Sequence, residues 1–172
     1  MTTLSNKILE SYLCDNFIET GTYQGEGVLE AVKAGFKNIY SVELHKELFE
    51  AAVIKFQDSP NIEIVNGDSA SMLAQILSKV DSKATFWLDG HYSGSHTAKG
   101  LKVSPVMEEL AQIAKHSIKT HNILIDDIRY VHTGEYEFTM DELISTLMSI
   151  NNKYKISYHD GYQKDDILIA SI

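Results

Sequence analysis

Two kinds of hydrophobic pattern alternate along most of the chain. Short apolar runs of the kind that form buried strands are separated by segments in which apolar residues recur every three or four positions, as on one face of a helix. The predicted strands are 16–19, 39–42, 62–65, 85–88, 122–125, 155–158 and 167–170. The predicted helices are 8–13, 27–34, 45–56, 71–79, 105–116 and 139–150.

The order of these elements predicts the fold. Strands and helices alternate through the fifth strand, which is typical of a parallel sheet with helices on both faces. The last two strands have no helix between them, so we expect an antiparallel hairpin at one edge of the sheet. The sequence therefore predicts an α/β, Rossmann-like three-layer sandwich with a seven-stranded, mostly parallel sheet. Since no linker or repeat interrupts it, residues 1–172 are expected to form a single domain.

Composition and charge narrow the set of partners. The 172 residues carry a formal net charge of −9, which argues against nucleic acid and against an anionic membrane surface as partners. No apolar run approaches the roughly 20 residues that span a bilayer. The amino-terminal residues lack the features of a signal peptide, so a cytoplasmic protein is expected. The one cysteine, Cys14, is interpreted as a small core residue.

The turn after the first strand is the first candidate site. Glu19 ends the apolar run, and Gly21 and Gly25 follow at a spacing that lets the backbone approach a ligand. The dinucleotide fingerprint also requires glycine at the positions that Tyr23 and Glu26 occupy here. The turn therefore disfavours a diphosphate and suits a neutral or cationic nucleoside.

A carboxylate follows each of the first five predicted strands. These acids are Glu19, Glu43, Asp68, Asp89, and Asp126 with Asp127. In open parallel sheets, ligands bind beyond the carboxyl ends of the strands, so the acids are expected along one edge. Glu43 also stands near the spacing at which an acid accepts hydrogen bonds from ribose hydroxyls. The structural alternative is that Glu43 and Asp68 cap the helices that follow them.

Three of these acids indicate a metal. Asp89, Asp126 and Asp127 would lie close together if the fourth and fifth strands are neighbours. Carboxylates that share a pocket repel one another unless a positive charge lies among them. Ligands that are all oxygen favour a hard cation, which is magnesium, manganese or calcium, over zinc.

The seven-strand order with its final hairpin resembles the class I methyltransferase fold, which uses S-adenosylmethionine (SAM). Segments 87–92 and 123–127 are similar to the metal-dependent O-methyltransferases, especially the small branch that methylates sugar hydroxyls. Catechol-type O-methyltransferases share part of this pattern. The resemblance implies that the chain is a SAM-dependent O-methyltransferase acting on a sugar or similar small polyol.

The resemblance also implies residue roles on the cofactor side. Glu19 would lie beside the methionine end of SAM, and Glu43 would hold the ribose. Asp68 with Ser69 would meet the adenine. The remaining residues implied to shape the cofactor turn are Gly21, Thr22 and Gly25.

On the acceptor side, the resemblance implies a bound Mg²⁺ or Mn²⁺. Asp89, Asp126 and Asp127 would be its ligands, so Asp89 takes part in catalysis as well as in binding. The candidate general base is His91, where the family usually has aspartate; histidine suits the role at neutral pH. Two alternatives stay open: a metal-independent class I methyltransferase, and a non-catalytic module that binds a nucleoside.

A methyltransferase site of this kind needs a segment that covers it. The sugar-modifying relatives commonly have an extra amino-terminal segment or inserted helices, whereas the first strand here begins near residue 16. We expect the cover from residues 90–104, where His96 also lies, from residues 130–138, or from another subunit of a homo-oligomer. Alternatively, a large acceptor, such as a nucleotide-linked sugar or a glycan end, would itself cover the site.

Overall fold

The computed structural model describes residues 2–90 and 103–172, and within them a sheet with helices on both faces. The strands are β1 (Asn16–Thr20), β2 (Asn38–Glu43), β3 (Ile62–Asn66), β4 (Ala84–Leu88), β5 (Asn122–Ile125), β6 (Lys155–His159) and β7 (Ile167–Ser171). The helices are α1 (Asn6–Glu10), α2 (Glu26–Ala34), α3 (Lys46–Phe56), α4 (Ser69–Leu77), α5 (Val106–Ile113), α6 (Arg129–Thr133) and α7 (Met140–Ile150).

The sheet confirms the predicted fold class. Its seven strands run in the order β3-β2-β1-β4-β5-β7-β6. Strands β1 to β5 pair in parallel, and β7 is antiparallel to both β5 and β6. Thr20 is in register with Val42 and Leu88, and Leu88 with Ile125. The carboxyl ends of four neighbouring strands therefore meet at one edge.

Both faces of the sheet are buried. Successive side chains of a strand point to opposite faces, so Ile18 and Phe86 join a core with α4, α5 and α7. Phe17 and Trp87 face the other way, toward α1, α2 and α3, and partly buried Cys14 packs against that second core. Double burial explains why the central strands are almost wholly apolar. Within the described residues, no helix is long and apolar enough to cross a membrane.

Four helices differ from the predicted elements. Helix α1 lies two to three residues before the predicted 8–13, and α5 ends three residues before the predicted 116. Helix α4 begins two residues before the predicted start, since the side chain of Asp68 caps it by accepting a hydrogen bond from the Ser71 N–H at 3.3 Å. Helix α6 was not predicted because it is a single short turn with no apolar repeat. It is anchored instead by Asp166, which accepts the backbone N–H of Arg129 at 3.0 Å.

A histidine pair closes the opposite, amino-terminal edge of the sheet. His121 is fully buried, and its Nδ1 accepts the N–H of Ala84, the first residue of β4, at 3.0 Å. Its Nε2 lies 2.9 Å from Nδ1 of His116, whose Nε2 lies 3.0 Å from the carbonyl oxygen of Val80. One neutral tautomer of each ring satisfies all three contacts: His121 donates to His116, and His116 donates to Val80.

Acid should destabilise the fold through His121. Burial lowers the pKa of His121 to about 4, and the neighbouring basic side chains of His116, Lys83 and Lys119 act in the same direction. Between pH 6.5 and 4 the unfolded chain takes up a proton that the folded chain excludes. The stabilisation is therefore complete above pH 6.5 and is lost as the pH falls toward 4. We expect this His121 contribution to fall by about 3 kcal/mol, measured as the difference between wild type and His121→Asn in urea unfolding across this range. The comparison is needed because buried acids with raised pKa values change stability in the opposite direction.

His121→Asn should flatten this pH dependence, because the amide oxygen still accepts a hydrogen bond but the side chain does not titrate. His159→Asn is the matched control, since His159 is exposed at the end of β6 and its loss should leave the slope unchanged. An equal slope in wild type and His121→Asn would contradict the assignment.

Candidate active site

The turn between β1 and α2 is built on left-handed backbone. Gly21, Tyr23 and Gly25 have φ angles of +86°, +46° and +74°. A Cβ atom at Gly21 would lie 2.5 Å from the carbonyl oxygen of Asp89, and one at Gly25 would lie 2.7 Å from the ring of Phe56. The turn therefore packs directly on the backbone that follows β4, with no room for a side chain at either glycine.

Glu19 is buried beneath this turn. Its carboxylate accepts a hydrogen bond from the Ser41 hydroxyl at 2.6 Å, and that hydroxyl lies 2.6 Å from the hydroxyl of Thr22. A Cβ atom at Gly27 would overlap the Glu19 carboxylate, so glycine makes room for it at the start of α2. Burial raises the pKa of Glu19 to about 8, the Ser41 hydroxyl opposes the shift, and neighbouring carboxylates add to it. A cationic ligand nearby would favour the ionised form.

Glu43 holds the middle of the turn. One of its carboxylate oxygens accepts the backbone N–H of Tyr23 at 2.8 Å, and the other accepts that of His45 at 2.7 Å. The residue predicted to hold ribose therefore lies against the cofactor turn and fixes the left-handed Tyr23. Each of its oxygens keeps a further lone pair for a ligand hydroxyl.

Behind the ends of β3 and β4 lies a buried acid that the sequence did not reveal. Ser69, predicted to meet adenine, donates its hydroxyl to Glu109 of α5. Glu109 is fully buried, and burial raises its pKa to about 7. A Cβ atom at Gly90 would lie 3.2 Å from its carboxylate. The available signal was its position, because Glu109 lies at helical spacing from the buried Val106 and Ile113, on the face of α5 where a solvated glutamate is not expected.

Three carboxylates converge where β4 and β5 end. Asp89, Asp126 and Asp127 each offer one oxygen, and these oxygens all lie within 4.8 Å of one another. The Asp126 N–H donates to the carbonyl of Leu88 at 3.1 Å, which extends the β4–β5 pairing beyond the strands. Asp127 adopts φ +59°, unusual for a residue with a side chain. Burial, together with the charges of Asp89 and Asp127, raises the pKa of Asp126 well above its ordinary value.

Arg129 supplies a positive charge beside this cluster. Its guanidinium donates to the carboxylates of Asp127 and Asp166, and Asp166 is 1% exposed. The guanidinium also lies 4.5 Å from the ring centre of Tyr130 and 4.9 Å from that of Tyr162. Burial opposes its charge, but the Tyr130 hydroxyl and the two carboxylates outweigh burial and raise the pKa of Arg129.

The donor set of the cluster suits a hard cation. All three contributed atoms are carboxylate oxygens, and their spacing lets one ion contact each of them. No sulfur or imidazole ligand joins this group in the described part of the chain, so the chemistry fits Mg²⁺ or Mn²⁺ rather than a softer metal.

Two predicted features of the acceptor side lie outside the described residues. The candidate base His91 and the loop histidine His96 both fall within residues 91–102. The predicted covering loop, 90–104, also falls there except for its ends. The second predicted cover, residues 130–138, begins within α6 and runs toward α7.

No family model and no curated protein sequence matches this chain. Its fold is nevertheless the Rossmann-like methyltransferase fold, as the similarity to solved structures shows. It is similar to the O-methyltransferase TomG of Streptomyces achromogenes in complex with SAM, with a TM-score of 0.66 and 12% identity over 99% of this chain and 78% of that chain. The SAH-bound methyltransferase PaMTH1 of Podospora anserina gives a TM-score of 0.62 and 10% identity, over 96% and 75%. An rRNA methylase from Streptococcus thermophilus gives 0.58 and 11%, over 96% and 92%.

Replacement of Gly21 should show how tightly the turn is packed. Gly21→Ala places a side chain at φ +86° and against the Asp89 carbonyl, so two costs add. The left-handed backbone costs about 1 kcal/mol and the overpacking about 1–3 kcal/mol more. Urea unfolding should therefore give a loss of about 2–4 kcal/mol.

Gly35→Ala is the matched control for this measurement. Gly35 has φ +95°, but a Cβ atom there meets no other atom within 4 Å. Only the backbone cost of about 1 kcal/mol is expected. Equal losses in the two variants would contradict the close contact between the turn and Asp89.

Proposed function

We propose that this protein is a SAM-dependent O-methyltransferase that requires Mg²⁺ or Mn²⁺ and methylates a hydroxyl of a sugar or a similar small polyol. One observation carries the proposal: the glycine turn and the three-carboxylate cluster share the Asp89 segment. Gly21 packs on the Asp89 backbone, and the Asp89 side chain belongs to the cluster. A methyl donor in the turn and an acceptor oxygen at the cluster would therefore be neighbours.

The proposed donor site follows from the polar groups around the turn. Gly21, Thr22 and Gly25 shape the turn, and buried Glu19 lies beneath it. The positive charge of SAM would stabilise the ionised form of Glu19. SAM supplies the electrophilic methyl group.

The nucleoside part of the donor would extend toward β2 and β3. Glu43 presents its carboxylate at the turn, where ribose hydroxyls can donate to it. Asp68 and Ser69 follow β3 and are proposed to face the adenine. Ser69 is held by its hydrogen bond to Glu109.

On the acceptor side, Asp89, Asp126 and Asp127 would hold the cation. A divalent ion there supplies positive charge that lowers the pKa of a nearby hydroxyl. His91, two residues after Asp89, is proposed to take the hydroxyl proton. Fixed placement of the acceptor oxygen next to the donor is expected to contribute most of the rate.

The surroundings of the cluster support a sugar or polyol acceptor. Carboxylates accept hydrogen bonds from hydroxyl groups, and Tyr162 offers an aromatic ring that is 80% exposed. Its neighbour Gly161 lies against the cluster, since a Cβ atom there would be 3.4 Å from the Asp126 carboxylate. An apolar ring face beside oxygen acceptors suits the mixed surface of a sugar ring.

A metal-independent methyltransferase is the second candidate. It is favoured by the internal partners of two of the acids: Arg129 pairs with Asp127, and the Thr3 hydroxyl donates to Asp126. In that case the acids would orient an acceptor by hydrogen bonds alone.

Metal removal separates the two candidates. Protein freed of metal by a chelator should still bind SAH in calorimetry. It should no longer transfer labelled methyl from SAM to a panel of nucleotide sugars and glycans. Addition of Mg²⁺ should restore this transfer. Asp126→Asn should reduce the metal-dependent rate by at least 10-fold. Asp81→Asn, an exposed change at the opposite edge, is the control. Turnover that ignores the chelator would exclude the metal mechanism, and failure to bind SAH would exclude every methyltransferase role.

Tyr162 tests the acceptor class. If a sugar ring stacks on it, Tyr162→Ala should raise KM for the acceptor several-fold and leave KM for SAM unchanged. Tyr158→Ala is the matched control, because Tyr158 is 42% exposed on the same hairpin but lies within β6. Unchanged acceptor KM in Tyr162→Ala would remove this ring from the acceptor site.

A further inference from the structure

An amino-terminal strap, residues 2–5, crosses from the start of α2 to the carboxylate cluster. At one end the N–H of Thr2 donates to the carboxylate of Glu26 at 2.8 Å. In the middle of the strap, the Leu4 N–H donates to the Thr2 hydroxyl at 3.1 Å. The Leu4 side chain is buried, with 3% exposed. At the other end, the Thr3 hydroxyl donates to Oδ2 of Asp126. The strap is thus packed in place rather than lying loosely on the surface.

This contact completes the orientation of Asp126. Its Oδ1 accepts the N–H of Asp127 at 2.9 Å, and the backbone at Gly161 lies close on the same side. Its Oδ2 accepts the Thr3 hydroxyl. With a donor on each oxygen, the plane of the carboxylate is fixed, and each oxygen retains a lone pair for another partner.

We propose that Thr3 is a positioning residue for the metal site: its hydroxyl orients the Asp126 carboxylate so that the cluster binds a divalent cation. This inference rests on the proposed function, because it concerns the same cation. Partners that hydrogen-bond to metal-binding carboxylates commonly account for a 10- to 100-fold change in metal affinity. Thr3 stands in that relation to Asp126, although 123 residues separate them along the chain.

The strap also joins the two halves of the site. Glu26 is the first residue of α2 and directly follows Gly25 of the cofactor turn. A strap tied to Glu26 at one end and to Asp126 at the other spans from the donor side to the acceptor side. The predicted cover was residues 90–104, residues 130–138, another subunit or a large acceptor. The structure adds this strap, which reaches the acids through Thr3.

The proposal is tested by titrating the purified protein with Mn²⁺ in the absence of acceptor. Electron paramagnetic resonance measures the fraction of Mn²⁺ that is bound. Thr3→Val keeps the shape of the side chain and removes the hydroxyl, so the dissociation constant for Mn²⁺ should rise about 10-fold. Thr3→Ser restores a hydroxyl and should bind Mn²⁺ nearly as wild type does. Thr146→Val, the same change in α7, where the hydroxyl donates to the carbonyl of Glu142, should have no effect. Urea unfolding of each variant shows whether the fold is retained.

The possible results distinguish failure of the Thr3 role from failure of the metal mechanism. Equal Mn²⁺ affinity in wild type and Thr3→Val overturns the role of Thr3 and leaves the metal mechanism standing. Tighter binding by Thr3→Val also overturns it, because the hydroxyl would then compete with the cation. Weak Mn²⁺ binding by both Thr3→Val and Thr3→Ser also overturns the role of the hydroxyl, because the affinity would then depend on the packing of the strap. No Mn²⁺ binding by the wild type removes the metal mechanism itself, and the positioning role with it.

Discussion

The contact between Gly21 and the backbone of Asp89 fixes the geometry of the whole site. It exists because β1 and β4 are hydrogen-bonded neighbours with Thr20 in register with Leu88, so the residues after both strands leave the sheet at the same level. The cofactor turn and the first acid of the cluster are therefore parts of one packed unit. Any movement of the turn would be transmitted to Asp89 through a contact that has no spare volume.

Burial of several acids destabilises this arrangement, and the same type of hydrogen bond offsets that cost at each of them. Three acids of the site have pKa values raised chiefly by burial, and each accepts a hydrogen bond from a serine or threonine hydroxyl. The pairs are Glu19 with Ser41, Glu109 with Ser69, and Asp126 with Thr3. A hydroxyl donates to a carboxylate and accepts from a carboxylic acid. Each acid therefore keeps a partner in either protonation state.

The sequence predicts the parts of the site that depend on strand order. Asp89 and Asp126 could be placed together because acids after adjacent parallel strands share one edge of the sheet. Glu109 and Thr3 could not, because their roles arise from contacts between segments distant along the chain. Helix periodicity marks which residues face the core but does not show that a glutamate among them lies against Gly90 and the Ser69 hydroxyl. Helix α6 was missed for a related reason: its anchor, Asp166, is supplied by the chain just before β7.

The internal partners of the cluster bear on how it would bind a cation. Arg129 and Thr3 donate hydrogen bonds to Asp127 and Asp126, and such donors can compete with a cation for the ligand oxygens. A carboxylate has about four lone-pair sites, however, and one hydrogen bond occupies only one of them. Carboxylates already held in place lose less freedom when an ion binds, so internal donors that fix their orientation increase affinity unless they lie on the line of approach. For the neutral Thr3 hydroxyl, the direction of approach therefore decides between support and competition, whereas the positive charge of Arg129 opposes a cation from any direction. Only the folded chain defines that direction, since strand order determines which acids meet and tertiary packing determines how they are held.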